Sequence, residues 1–129
     1  MDAPSNYENR IGFSRVVRVG NIIAVSGSAP LLPNGNTASP GDPYKQTKVC
    51  LQIMEKAIKD AGGNLSDTIR TRIYLKEQKH WAEAARAHAE FFMDIKPACT
   101  FIVVKGFIHD DWLVETELDC VVREKQTLL

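Results

Sequence analysis

Three acidic residues, Glu115, Glu117 and Asp119, stand at every second position near the end of the chain. In an extended strand that spacing puts all three on one side. Carboxylates gathered in a cleft can hold a water or move protons; set against arginines they simply pair. Cys99 is the second chemical candidate. It follows Pro97-Ala98 at the head of an apolar run, where a side chain projects from a sheet end. A thiol there becomes a nucleophile if a base lowers its pKa, and His88 is the nearest base in sequence. The plainer reading of Cys99 is an inert, half-buried thiol. His88 falls on an apolar helical stripe, so a core histidine competes with an acid or base. Cys50 and Cys120 lie on apolar stripes and read as core residues.

His88-Ala89-Glu90 followed by Pro97-Ala98-Cys99 superficially matches the H-x-E and P-C-x-x-C elements of zinc nucleobase deaminases. Those enzymes need two cysteines beside the histidine, and nothing here fills the second position. His80 and His109 add no ligand spacing, so no catalytic metal is expected. The 16 basic and 16 acidic side chains balance to a formal charge of zero. Without a basic run, nucleic acid and membrane surfaces are not the expected partners, which leaves small molecules and protein. The lack of a signal-like or membrane-spanning run, together with three cysteines in no framework spacing, points to a cytoplasmic protein with reduced thiols.

The elements that must position these residues fit one domain over residues 1–129, with 1–10 as a loose polar terminus. Ser14 to Val19 alternates, Gly20-Asn21 supplies a tight turn, and Ile22 to Ser26 returns as the partner strand. Residues 29–43 carry four of the six prolines and read as a surface loop. Asp42 caps a helix with Pro43 in its first turn. Its inner stripe runs from Val49 and Cys50 through Ile53, Met54, Ala57 and Ile58 to Ala61, and Gly62-Gly63 ends it. A strand follows with Ile69, Thr71, Ile73 and Leu75 opposite Arg70, Arg72 and Tyr74. The next helix, about His80 to Met93, has Trp81, Ala84, Ala85, His88, Phe91 and Phe92 inside. Thr100 to Lys105 is apolar enough for a central strand covered on both faces. In the last strand Trp112, Val114, Thr116, Leu118, Cys120 and Val122 oppose the acidic side. The order is ββαβαββ, an α+β domain with two helices on one sheet face. The far face, with arginines on one strand and carboxylates on another, favours lateral ion pairs and a subunit interface.

In order and spacing the chain resembles the YjgF/RidA family of reactive intermediate deaminases from Ile11 to Val122. The matching segments are Val19-Gly20-Asn21 running into Val25-Ser26-Gly27, Gln46, Ala61-Gly62-Gly63, Ile73-Tyr74-Leu75, Phe91-Phe92, Pro97-Ala98 and Glu115-Thr116-Glu117. The resemblance implies a chorismate-mutase-like fold in a homotrimer with a central barrel and clefts between subunits. In the best-known branch those clefts hydrolyse 2-imino or enamino acids to 2-keto acids and ammonia, with no metal or organic cofactor. Residue by residue, the water-positioning glutamate is Glu115 and the Ser-Gly pair is Ser26-Gly27. The carboxylate-gripping arginine is replaced by Cys99, the tyrosine by Phe13, and the helix asparagine by Ala85.

Losing the guanidinium removes a bidentate grip whose hydrogen bonds are worth about 1.5 to 3 kcal/mol each. The ordinary imino-acid substrate is therefore expected to react poorly. Phe13 and Ala85 make the cleft more apolar, while His88, one turn from Ala85, offers replacement polarity; Arg72 and Arg86 offer charge from other positions. Three functions follow. One is a hydrolase for a small imine or enamine using Glu115 with Cys99 lining the pocket. The second is a non-catalytic ligand-binding or interaction protein on the same trimer, and the third a covalent catalyst built on Cys99.

Overall fold

The structure is a computed structural model that describes residues 7–123. Strands β1 (Val16–Val19) and β2 (Ile22–Ser28) form the expected hairpin, with Val19 opposite Ile22 and Val16 opposite Val25. Helix α1 spans Pro43–Asp60, and the Asp42 carboxylate accepts from the Lys45 N–H at 3.0 Å, as its cap requires. Gly62, at φ 86°, turns the chain out of the helix in the left-handed region that disfavours other residues. Strand β3 (Thr68–Leu75), helix α2 (Trp81–Phe92), strand β4 (Ala98–Val103) and strand β5 (Val114–Val121) complete the ββαβαββ order.

The sheet runs β1-β2-β5-β3-β4. Among the described strands only β3 and β4 pair in parallel, and α2 is the crossover that such a pair needs. Strand β5 returns antiparallel between β2 and β3 and becomes the central strand. Its inward residues Val114, Thr116, Leu118 and Cys120 are fully buried. Leu118 and Cys120 join Ile23, Leu51, Met54, Ile58 and Phe92 in one cluster, Thr116 Oγ1 donates to Met54 Sδ, and Val114 packs with Cys50, Ile73, Leu75 and Ala84 in a second. Truncating such a side chain to alanine costs about 2–5 kcal/mol.

Four expectations are corrected. The 100–105 run is no central strand: β4 is at the rim of the sheet, with Ile102 46% and Val103 50% exposed. Its apolar residues imitate a doubly covered strand, but strand order is decided by where β5 inserts. Ile69 leaves the buried row because the β3–β5 register shifts between Thr68 and Arg70, turning it outward. Trp81 opens α2 outside the core and meets the Phe101 ring edge-on at 6.2 Å instead. The N-terminal segment also differs from a loose terminus, since Glu8–Gly12 forms a short π-helical turn; residues 1–6 lie outside the described residues.

The far face carries the expected lateral pairs. Arg72 reaches Asp119 at 3.1 Å and Glu117 at 3.8 Å, and the Tyr74 hydroxyl donates to Glu117. That bond, with burial, pushes the Tyr74 pKa up to about 12.

Candidate functional site

A cleft of about 360 Å³ opens where β2 loses register with β5. The irregularity between Val25 and Ser28 takes Ser26 and Gly27 out of the regular ladder and leaves their carbonyls for other donors. Glu115, one residue into β5, lies over this point. A Cβ on Gly27 would stand 3.0 Å from Glu115 Oε2, so a larger residue there would push the carboxyl group off the strand by a few tenths of an ångström. The start of β5 is fixed from α1: the Gln46 side chain, fully buried, donates to the Asp111 carbonyl at 2.9 Å and accepts from the Leu113 N–H at 2.9 Å. Gln46 thus holds the strand entrance that aims Glu115.

The cation of the cleft is Arg15. Its Nη1 faces the carbonyls of Ser26 at 3.2 Å and Gly27 at 3.0 Å and the Ser28 hydroxyl at 2.8 Å. Ser26 Oγ donates to the Ser14 carbonyl at 2.5 Å, and Ser28 Oγ donates to the Ser26 carbonyl at 3.0 Å. Glu8 of the π-helical turn approaches Arg15 Nη2 at 3.6 Å. Tyr7, Ile11, Phe13 and Trp112 wall the cleft; the Tyr7 hydroxyl meets His109 Nε2 at 3.0 Å, and His109 packs edge-on against Trp112.

Burial sets the electrostatics. It raises the Glu115 pKa, opposed by the Arg15 charge and assisted by Glu117. It lowers the Arg15 pKa, opposed by Glu8 and Glu115. Glu115 thus holds its proton more tightly than an exposed carboxylate, the direction that favours a group able both to take and to give a proton.

A second cavity, about 300 Å³, lies against α2 and β4 and is lined by Ala85, His88, Phe92, Pro97 and Phe101 among others. His88 Nε2 is 2.8 Å from Thr71 Oγ1, its ring lies 4.6 Å from that of Phe92, and burial lowers its pKa. Of the residues singled out from the sequence, Glu115, Phe13, Ser26 and Gly27 therefore come together, and Ala85 and His88 come together elsewhere. Cys99 is exposed at the start of β4, opposite Thr71 in the parallel ladder, and lines neither cavity. Among the described residues no group of three or more His, Cys, Asp or Glu is placed to hold a metal ion.

Sequence reasoning missed Arg15 and Glu8. A signal for Arg15 existed: extending the hairpin one step beyond Val16–Val25 sets Arg15 beside Ser26, and the Ser26 N–H does donate to the Arg15 carbonyl at 3.0 Å. Nothing in sequence marked Glu8, which belongs to a turn too short to show periodicity.

Fold and site together define a small α+β domain with a cleft of small-molecule size built on a glutamate, a glycine bulge and a largely buried guanidinium. The family model described as Endoribonuclease L-PSP matches residues 5–122. A Streptomyces coelicolor relative, uncharacterized protein SCO2049, is 35% identical over 115 residues, covering 89% of this chain and 85% of the relative. The RutC family protein PYRAB12510 of Pyrococcus abyssi is 30% identical over 105 residues, 81% of this chain and 82% of that protein. Among solved structures, Rv2704 of Mycobacterium tuberculosis, a member of the YjgF/YER057c/UK114 family, superposes with a TM-score of 0.83 at 35% identity, covering 92% of this chain and 93% of that one. The chain belongs to the YjgF/RidA family, and its fold is the chorismate-mutase-like α+β fold of those relatives.

Proposed function

We propose that the protein is a cofactor-independent hydrolase of a small imine or enamine, acting in the Glu115 cleft. The observation that carries this reading is the Glu115 carboxyl group seated on the Gly27 backbone, its pKa raised by burial, in a walled cleft. Glu115 takes a proton from the water that adds to the C=N carbon and gives it to nitrogen, forming a carbinolamine; it then takes the carbinolamine hydroxyl proton and passes it to the amino group, which leaves as ammonia as the C–N bond breaks and the carbonyl forms. An enamine first gains a proton on carbon to become the imine. Arg15 holds the Ser26-Gly27 bulge and limits how far the Glu115 pKa rises.

The working assembly in this reading is a homotrimer in the cytosol, where Cys50, Cys99 and Cys120 stay as free thiols. A neighbour's Ala85, His88 and Cys99 then complete the cleft facing Glu115. The apolar rim strand β4 supports such a contact, since Ile102 and Val103 are about half exposed in one protomer. Cys99 supplies no charge there, so the carboxylate grip of the family's arginine has no counterpart on β4. An RNA substrate fits less well. The chain has zero formal charge, and the cleft's one guanidinium, Arg15, is set against the Glu115 carboxyl group in the lining and Glu8 at 3.6 Å behind it.

The test is ammonia release from freshly generated 2-aminoacrylate and from imines without a carboxylate, with the assembly checked by sedimentation. Acceleration of at least one substrate, lost in Glu115→Gln, is expected from a trimer. No acceleration of any, with a small ligand still raising Tm, marks a binding protein instead, and a stable monomer removes the shared cleft.

A further inference from the structure

Strands β3 and β5 run antiparallel with Tyr74 directly opposite Glu115, Arg72 opposite Glu117 and Arg70 opposite Asp119. Opposed residues on one face stand about 4.5–5.5 Å apart at Cβ, so each of these β3 side chains has a carboxyl group straight across from it. The closest polar contacts run one step along instead. The Tyr74 hydroxyl donates to Glu117, and Arg72 Nη1 comes to 3.1 Å from Asp119 Oδ2 while staying 3.8 Å from Glu117. This diagonal reach leaves one group over at each end. Arg70 makes no hydrogen bond or ion pair among the described residues, and neither does Glu115. What acts on Glu115 is charge, from Arg15 on the β1 side and from Glu117 two residues along β5. Tyr74 on β3 and Cys50 on α1 face it too, and Glu115 helps to raise the pKa of both. A carboxylate opposite a tyrosine is a ready acceptor for its hydroxyl, and such a bond favours the ionised form. Tyr74 does not make it, because Glu117 holds the hydroxyl.

We propose that Glu117 is a positioning residue for the cleft: by taking the Tyr74 hydroxyl it keeps that hydroxyl off the Glu115 carboxyl group, which stays open to a substrate proton. The proposal rests on the proton-transferring role given to Glu115 above. Glu117 lies outside the cleft lining and acts only through its neighbour. Arg72, drawn between Glu117 and Asp119, steadies the acceptor without replacing the tyrosine bond. Two glutamates of the same type on one strand face thus have different roles, one to move a proton and one to keep the first unbonded.

The test compares Glu117→Gln, Glu117→Ala and the double variant Glu117→Ala/Tyr74→Phe in the full chain, by carboxyl ¹³C titration of Glu115 and by ammonia-release kinetics. Glutamine and alanine both remove the charge, but only glutamine still offers Tyr74 an oxygen, so the difference between them isolates the hydroxyl. The Glu115 midpoint is expected to fall further in Glu117→Ala than in Glu117→Gln, because the released hydroxyl turns to Glu115. In the double variant no hydroxyl remains, and the midpoint is expected to return to the Glu117→Gln value. Turnover is expected to follow, with kcat about tenfold lower in Glu117→Ala than in Glu117→Gln, KM changed by less than about twofold, and kcat recovered in the double variant. A folding lesion is not repaired by a second truncation, so the recovery separates positioning from structure. Equal midpoints in Glu117→Gln and Glu117→Ala overturn the proposal, as does a double variant that recovers neither midpoint nor kcat. The expected midpoints with kcat equal in Glu117→Gln and Glu117→Ala overturn it too, while leaving Glu115 as the proton carrier. A wild type that turns over no imine or enamine removes the proposed function instead, and the midpoints then still decide whether Glu117 keeps the hydroxyl from Glu115.

Discussion

The cleft at the β2 bulge and the cavity between α2 and β4 have similar volumes, about 360 and 300 Å³. Their chemistry differs. The first buries a guanidinium and a carboxyl group whose pKa values are both displaced by desolvation. The second is lined by Phe92, Phe101, Pro97 and Ala85, and its single imidazole is kept toward the neutral form by burial. Well-packed apolar residues would serve stability at least as well as the buried charges of the first. Charges kept at such a cost favour the first as the working site in the proposed function, with the second cavity as a wall or a contact surface.

The largest expected difference is in turnover. Glu115→Gln should lower ammonia release from a turned-over imine or enamine by about 10²–10⁴-fold, the usual contribution of a proton-transferring side chain. His88→Ala should lower it less than tenfold, and equal losses would erase the contrast between the two cavities. Next comes Gly27. Its missing Cβ would lie 3.0 Å from Glu115 Oε2, so Gly27→Val should cost about 10–100-fold in kcat/KM. At Gly106 nothing lies within 4 Å of the corresponding position, and Gly106→Ala should leave kinetics unchanged.

Smaller effects appear in pH-dependent melting. The folded-state pKa of Glu115 lies above its unfolded value, so its contribution to stability is present below about pH 4.3 and lost as pH rises through the folded value. Glu115→Gln should therefore melt about 1–3 °C above the wild type at pH 8, with the gain vanishing near pH 4. His88 has the opposite sign. Its pKa is lowered, so the stability it contributes is present above about pH 6.5 and lost as pH falls through the folded value. His88→Gln should flatten the fall in Tm between pH 7 and pH 5 by about 1–2 °C. A wild-type Tm that is flat over that interval would contradict the neutral burial of His88.

How much was legible in the sequence depended on how local the cause was. The hairpin at Gly20-Asn21, the Asp42 cap and the Gly62 exit are set by a few adjacent residues, and each stands where its residues put it. The alternation of β5 was legible because both of its faces are used, one in the core and one in ion pairs. The rim position of β4 was not, since an apolar run does not say which strand will insert beside it. The site divides the same way. Glu115, Ser26, Gly27 and Phe13 followed from the spacing of a resemblance and fall around one cleft. Arg15 could have been placed beside Ser26 by extending the hairpin one step, whereas Glu8 escaped because it belongs to a single helical turn that leaves no periodic mark.

The central claim is that burial outweighs the Arg15 charge at Glu115 and leaves a carboxyl group that can both take and give a proton. A carboxyl ¹³C titration of Glu115 measures that balance directly. A midpoint above the usual glutamate value of about 4.3 is expected. A midpoint at or below it would show the guanidinium in control, and the proton-transferring role assigned to Glu115 would be contradicted.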